Sequence, residues 1–248
     1  MKVVACYSIK GGVGKTSTSV NLAYSAAGAG YRTLLIDLDP QGASSFYFRV
    51  RPSSKKWAER FFGAYQDLLD NIKASDYEDL DIVPAHLGFR HFDTQLASMS
   101  KREQRLKRIL KGLKDEYDVV VLDCPPSIGN LAESVFVAAD MVLVPVIPTT
   151  LSERTFDQLL AFFDHNGYPA DKIVPFFSMV QGQKSLQQAT MVSMSARHPG
   201  FLQARIPHSS DVEKMGEQRA PVEVFAGTKV SGHASRALWS EVATRLGL

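Results

Sequence analysis

Seven residues, Lys10-Gly11-Gly12-Val13-Gly14-Lys15-Thr16, carry the densest chemical signal in the chain. Three glycines let the backbone curl until successive N–H groups point inward, a concavity that suits phosphate oxygens. A helix opening at Lys15 aims its positive end at the same point. The Lys15 amine is placed to neutralise the β- and γ-phosphates of a nucleotide, and the Thr16 hydroxyl to ligate Mg²⁺. The backbone of Gly11, Gly12, Val13, Gly14, Lys15, Thr16 and Ser17 would then surround the phosphates. The usual pattern G-x-x-x-x-G-K-[ST] needs glycine at position 9, where Ile9 stands, and here a second lysine, Lys10, precedes the glycines. One nucleotide already has Lys15, so Lys10 needs a separate role.

Such a loop works only between a strand and a helix, and the flanking sequence supplies both. Lys2–Ile9 is an apolar, β-branched run, and 15–28 has helical spacing that ends at a glycine. The apolar runs 32–37, 80–84, 118–123, 141–146 and 173–177 read as further strands, with helices over 89–113, 128–139, 151–166, 184–197 and 233–246. Strands this apolar, alternating with helices, predict an α/β fold: a mostly parallel twisted sheet covered on both faces, in one domain over residues 1–248. Residues 50–79 are more polar and irregular and read as a surface helix and loop.

The loop with its extra lysine resembles the K-G-G-x-G-K-[ST] signature of the ParA/MinD family of deviant Walker A ATPases. Three more segments extend the resemblance. Leu35-Ile36-Asp37-Leu38-Asp39-Pro40-Gln41-Gly42 is similar to that family's D-x-D-P-Q-G switch. Val119–Asp123 resembles its Walker B strand, and Asp123-Cys124-Pro125-Pro126-Ser127 its D-x-P-P-S second switch. The resemblance implies ATP and Mg²⁺ as cofactors and slow, partner-stimulated hydrolysis. Asp39 would orient the attacking water, Asp37 would lie near the Mg²⁺ shell with Thr16, and Asp123 would hold the ion. Lys10 would reach the nucleotide of a second subunit, so that ATP joins a homodimer. Adenine contacts are implied near Ile206-Pro207, with Pro207 the candidate. A guanine-reading N/T-K-x-D segment is not matched, because Thr228-Lys229-Val230-Ser231 lacks the carboxylate.

Within the family, ParA-like proteins bind DNA of any sequence as ATP dimers. They position plasmids, chromosomes or protein assemblies, such as chemoreceptor clusters or microcompartments, with a ParB-like or adaptor partner. By that resemblance Lys229 and Arg236, then Arg205 and Arg219, are the candidate DNA contacts, and the chain is expected to be cytoplasmic and nucleoid-associated. With the loop at residue 10, no helix-turn-helix precedes it, and operator-specific repression is not expected. The segments 148–154 and 166–188 depart from the partition pattern and leave the cargo open. MinD-like relatives instead end in a basic amphipathic helix that inserts into membrane. Here Leu238, Val242 and Leu246 form a stripe beside Trp239 with only Arg236 and Arg245 basic, a pattern that reads as core packing. A biosynthetic P-loop amidoligase is the alternative from another class; Lys10 and the two switch motifs argue against it.

Composition sets the outer bounds. With 45% apolar and 22% charged residues the chain is a globular protein, not a disordered or fibrous one. The longest apolar stretch, 135–148, is interrupted by Asp140 and Pro145 and is too short for a bilayer core, so no membrane contact is expected. Cys6 and Cys124 sit in apolar runs without a C-x-x-C pair, which excludes a bridging iron–sulfur cluster built from four thiolates. Charge is close to balanced overall but uneven along the chain. Residues 101–114 hold seven basic residues against one acid, on a helix whose other face is Leu106, Ile109, Leu110 and Leu113. That helix offers either a solvated face or a second surface for a polyanion.

Overall fold

The computed structural model describes residues 1–52 and 57–248. Its strands are β1 (Lys2–Cys6), β2 (Thr33–Asp37), β3 (Lys73–Ala74), β4 (Leu80–Val83), β5 (Val119–Asp123), β6 (Met141–Val146), β7 (Ile173–Val180) and β8 (Arg205–Pro207). They form one sheet in the order β3-β4-β2-β5-β1-β6-β7-β8, parallel throughout except for the antiparallel edge strand β3. Nearly every residue of β1, β2, β5 and β6 is buried, as expected for parallel strands covered on both faces by helices. One apolar layer holds Leu34, Ile36, Val120, Leu122 and Phe136. The other holds Val4, Leu35, Val121, Trp239 and Val242.

The α/β expectation holds, with corrections at several elements. β1 ends at Cys6 rather than Ile9, because the chain must leave the ladder to build the loop. The helix expected over 89–113 is broken. It runs as a 3₁₀ turn (Leu87–His91), a helix (Phe92–Ala97), a second 3₁₀ turn (Arg102–Gln104) and a helix (Arg105–Lys111). Lys101 stands at the break with φ +52°, a left-handed conformation that no continuing helix allows. Residues 50–79 are less superficial than their polarity implies: Trp57, Phe61, Phe62 and Leu68 are core residues packed with Phe89 and Phe92. Of that stretch, residues 53–56 lie outside the described residues. β8, three residues with no apolar run of its own, pairs with the free edge of β7 across a register shift between Phe177 and Val180.

Candidate nucleotide-binding site

β2, β5 and β1 lie side by side and deliver their carboxyl ends to one rim of the sheet, where α/β folds place their ligands. The loop after β1 curls through two left-handed glycines, Gly12 at φ +70° and Gly14 at φ +94°. A Cβ on Gly14 would also stand 3.0 Å from the Ser178 hydroxyl, so both backbone freedom and space require glycine there. Val13 is buried and pins the loop to the core. The amides of residues 11–16 donate no hydrogen bond among the described residues, and they open onto the start of the helix Lys15–Gly28. Unspent donors at a helix N-terminus form an anion cradle.

Lys15 is buried, and its ammonium donates to the Lys10 carbonyl at 3.1 Å, folding the side chain back over the loop. Burial lowers its pKa, against the opposing pull of Asp123. Lys10 is half-buried and its ammonium points away, 3.4 Å from the Ser152 hydroxyl at the start of the helix Thr150–His165. The two lysines therefore sit on different sides of one loop.

Asp37 and Asp123 close β2 and β5 and are direct register partners. Both are fully buried. Burial is the largest cause pushing both carboxyls well above the usual range, and their mutual repulsion adds to it for Asp37. Each is held by hydroxyls. Ser44 donates to Asp123 at 2.6 Å and Ser19 at 3.1 Å, and the nearby Thr16 hydroxyl also favours the charged form of Asp123. The Ser45 amide and hydroxyl donate to Asp37 at 2.8 and 2.7 Å. Two buried carboxylates facing one another beside a threonine hydroxyl make a hard-oxygen set, which fits Mg²⁺ better than a soft metal. A divalent cation would also relieve the charge that burial penalises.

Asp39 sits half-buried just beyond β2, with one carboxylate oxygen accepting from the Gln41 amide at 3.0 Å. Gly42, at φ +66°, then turns the chain into the short helix Ala43–Tyr47 that carries Ser44 and Ser45. On the other side of the loop a cleft is lined by Gly14, Ser17, Ser178, Ile206 and Pro207, so Ser17 and Pro207 share the wall next to the anion cradle. Cys6 and Cys124 are buried and free. They face opposite layers of the sheet, and burial pushes the Cys6 thiol up to about 12.

The family model described as an AAA domain matches residues 1–167. The chain belongs to the ParA/MinD family of P-loop ATPases. It is 39% identical to Soj, the sporulation initiation inhibitor protein of Bacillus subtilis, over 146 residues that cover 58% of each chain. It is 31% identical to the cell division protein PomZ of Myxococcus xanthus over 206 residues, 79% of this chain and 63% of PomZ. The chain thus spans about three-fifths of each of these two relatives. Among solved structures, cobyrinic acid a,c-diamide synthase from Mycobacterium smegmatis with bound ATP analog and magnesium superposes with a TM-score of 0.82 at 25% identity. That match covers 99% of this chain and 95% of the synthase. Apo McdA from Cyanothece gives 0.82 at 19% identity over 97% and 98%, a likeness of fold.

In this ParA/MinD-family chain the four candidate DNA residues are placed unevenly. Lys229 pairs with Asp211 at 2.7 Å. Arg236 pairs with Glu223 at 3.2 Å and donates to the Gly227 carbonyl. Arg219 lies over the Phe46 ring and donates to the Phe46 carbonyl. Arg205 is exposed on β8. By contrast Lys107, Arg108 and Lys111 are exposed and form no ion pair among the described residues. Leu238, Trp239, Val242 and Leu246 are buried, so the C-terminal stripe is core packing, and no described helix is long and apolar enough to cross a membrane. Ser19, Ser44 and Ser45 were not evident from sequence. The only signal was position: Ser19 follows Lys15 by one helical turn, and the serine pair follows D-P-Q-G.

Proposed function

We propose that this chain is an ATP- and Mg²⁺-dependent ATPase that closes into a homodimer over its nucleotides, binds duplex DNA without sequence preference and positions a cargo. The opposed lysines carry this reading. Lys15 is folded over its own loop, while the Lys10 ammonium turns away from that loop to the Ser152 hydroxyl, and from there it would swing to a second subunit's nucleotide. The loop amides and Lys15 bind and orient the phosphates. Thr16, Asp123 and Asp37 would hold Mg²⁺, which supplies charge neutralisation at the β- and γ-oxygens when bound. Asp39 accepts a hydrogen bond from the attacking water and sets its line of approach. Pro207 would lie beside the base, across the cleft wall it shares with Ser17. A ParB-like or adaptor partner would stimulate turnover, in keeping with the cell-division name of PomZ.

DNA binding is tested by gel shift with the ATP-bound protein. If each subunit places about three basic residues on phosphates, the log–log salt slope of the dimer is on the order of −5. Charge reversal at Lys229 and Arg236, or at Lys107, Arg108 and Lys111, identifies the surface by weakening binding to all sequences alike. Loss with neither set, together with sedimentation on liposomes, would replace the DNA reading with a MinD-like one. The likeness to cobyrinic acid a,c-diamide synthase supports a second reading, a biosynthetic amidoligase. Stimulation of ATP turnover by a carboxylic acid with an amide donor, and not by DNA, would favour it.

A further inference from the structure

Tyr7 is the first residue beyond β1, three positions before Lys10, and it is fully buried. Its amide remains on the ladder, donating to the Leu143 carbonyl at 3.0 Å. Its ring meets Phe136 edge-on, with centroids 4.8 Å apart. Phe136 lies on the helix Asn130–Ala138, which follows the second-switch loop. The Tyr7 hydroxyl crosses to that loop and donates to the Ser127 carbonyl at 2.9 Å. Burial pushes the phenol far above its ordinary range, so it stays a neutral donor.

The loop it reaches is anchored at both ends. The Cys124 amide donates to the Cys6 carbonyl at 3.4 Å. At the far end the Asp93 carboxylate accepts from the Leu131 amide at 2.9 Å, and a Cβ on Gly129 would meet that carboxylate at 2.6 Å. Between these ends the loop has little to hold it. Pro125 and Pro126 have no N–H to donate, and Pro126, Ser127 and Ile128 are exposed on the outer side. Among the described residues, the Tyr7 hydroxyl is the one side chain outside the loop that bonds its midpoint.

We infer that Tyr7 is a positioning residue that fixes the second-switch loop to the strand carrying the phosphate loop, so that both loops keep one geometry through ATP hydrolysis. The inference rests on the ATPase reading above. A phenylalanine would fill the same space, so the hydroxyl can be removed without disturbing the core. In the full-length Tyr7→Phe variant, kcat should fall about threefold to tenfold, the size of one neutral hydrogen bond, while affinity for a fluorescent ATP analogue stays at the parent value. A purely structural hydroxyl would lower the melting temperature and leave kcat per folded molecule unchanged, and that result overturns the inference. Amide exchange gives a second reading that needs no turnover. Ser127, Ile128 and Gly129 should exchange faster in the variant while β1 stays protected, and unchanged loop exchange also overturns it. If the parent protein hydrolyses no ATP, the ATPase reading fails, and the exchange data alone decide whether Tyr7 holds the loop.

Discussion

Lys15 and Asp39 follow neighbouring strands at one rim of the sheet, yet they should fail in different ways when removed. Asp39 spends one oxygen on the Gln41 amide and is not among the hydroxyl-held carboxylates, so it is free to meet a water. Asp39→Ala should keep ATP affinity and lose on the order of 100-fold in turnover, the scale of a misplaced reactant. Lys15→Ala should lose nucleotide affinity itself, measured with the same fluorescent ATP analogue. An Asp39→Ala protein that turns over ATP at the parent rate would remove the water-orienting role. At this scale the sequence was informative where a residue's chemistry depends on its neighbours in the chain. The glycines, Lys15, Thr16 and the two strand-end aspartates were all legible. Ser19, Ser44 and Ser45 were not, because a serine becomes a carboxylate partner only when tertiary structure brings it there.

Among the elements, the C-terminal helix Val230–Leu246 shows how an ambiguous stripe resolves. Leu238, Trp239 and Val242 are buried in the same layer as Val20, Leu22 and Ala23 of the phosphate-loop helix. Leu238→Ala should destabilise the fold by about 2–5 kcal/mol, measured by urea unfolding, since it opens a cavity between those helices. A cost below about 0.5 kcal/mol, the usual limit for a surface site, would return the stripe to the list of membrane anchors. Elements with strong periodicity, such as the strands 118–123 and 141–146, were read within a residue or two. The failures came from context. The period across 89–113 persists through Ser98–Lys101 although the backbone breaks there, and β8 exists only because β7 leaves an edge to pair with. Trp57 and Phe61 lie among polar neighbours, and only the fold shows that they are core.

For the whole molecule, sheet order explains why residues 10–16, 37, 39 and 123 meet. Parallel strands deliver the ends of β1, β2 and β5 to one rim, where the Lys10 ammonium is turned away from its own loop to the Ser152 hydroxyl. Burying a γ-phosphate between two copies is costly unless a cation is supplied from across the interface. ATP should therefore drive association and ADP should not. The most direct measurement is light scattering of Asp39→Ala with Mg²⁺ and either ATP or ADP, alongside the same protein carrying Lys10→Ala. The expected result is twice the mass of one chain with ATP, one chain with ADP, and one chain with either nucleotide once Lys10 is removed. A single-chain mass in ATP, or an ATP dimer that survives the loss of Lys10, would contradict it.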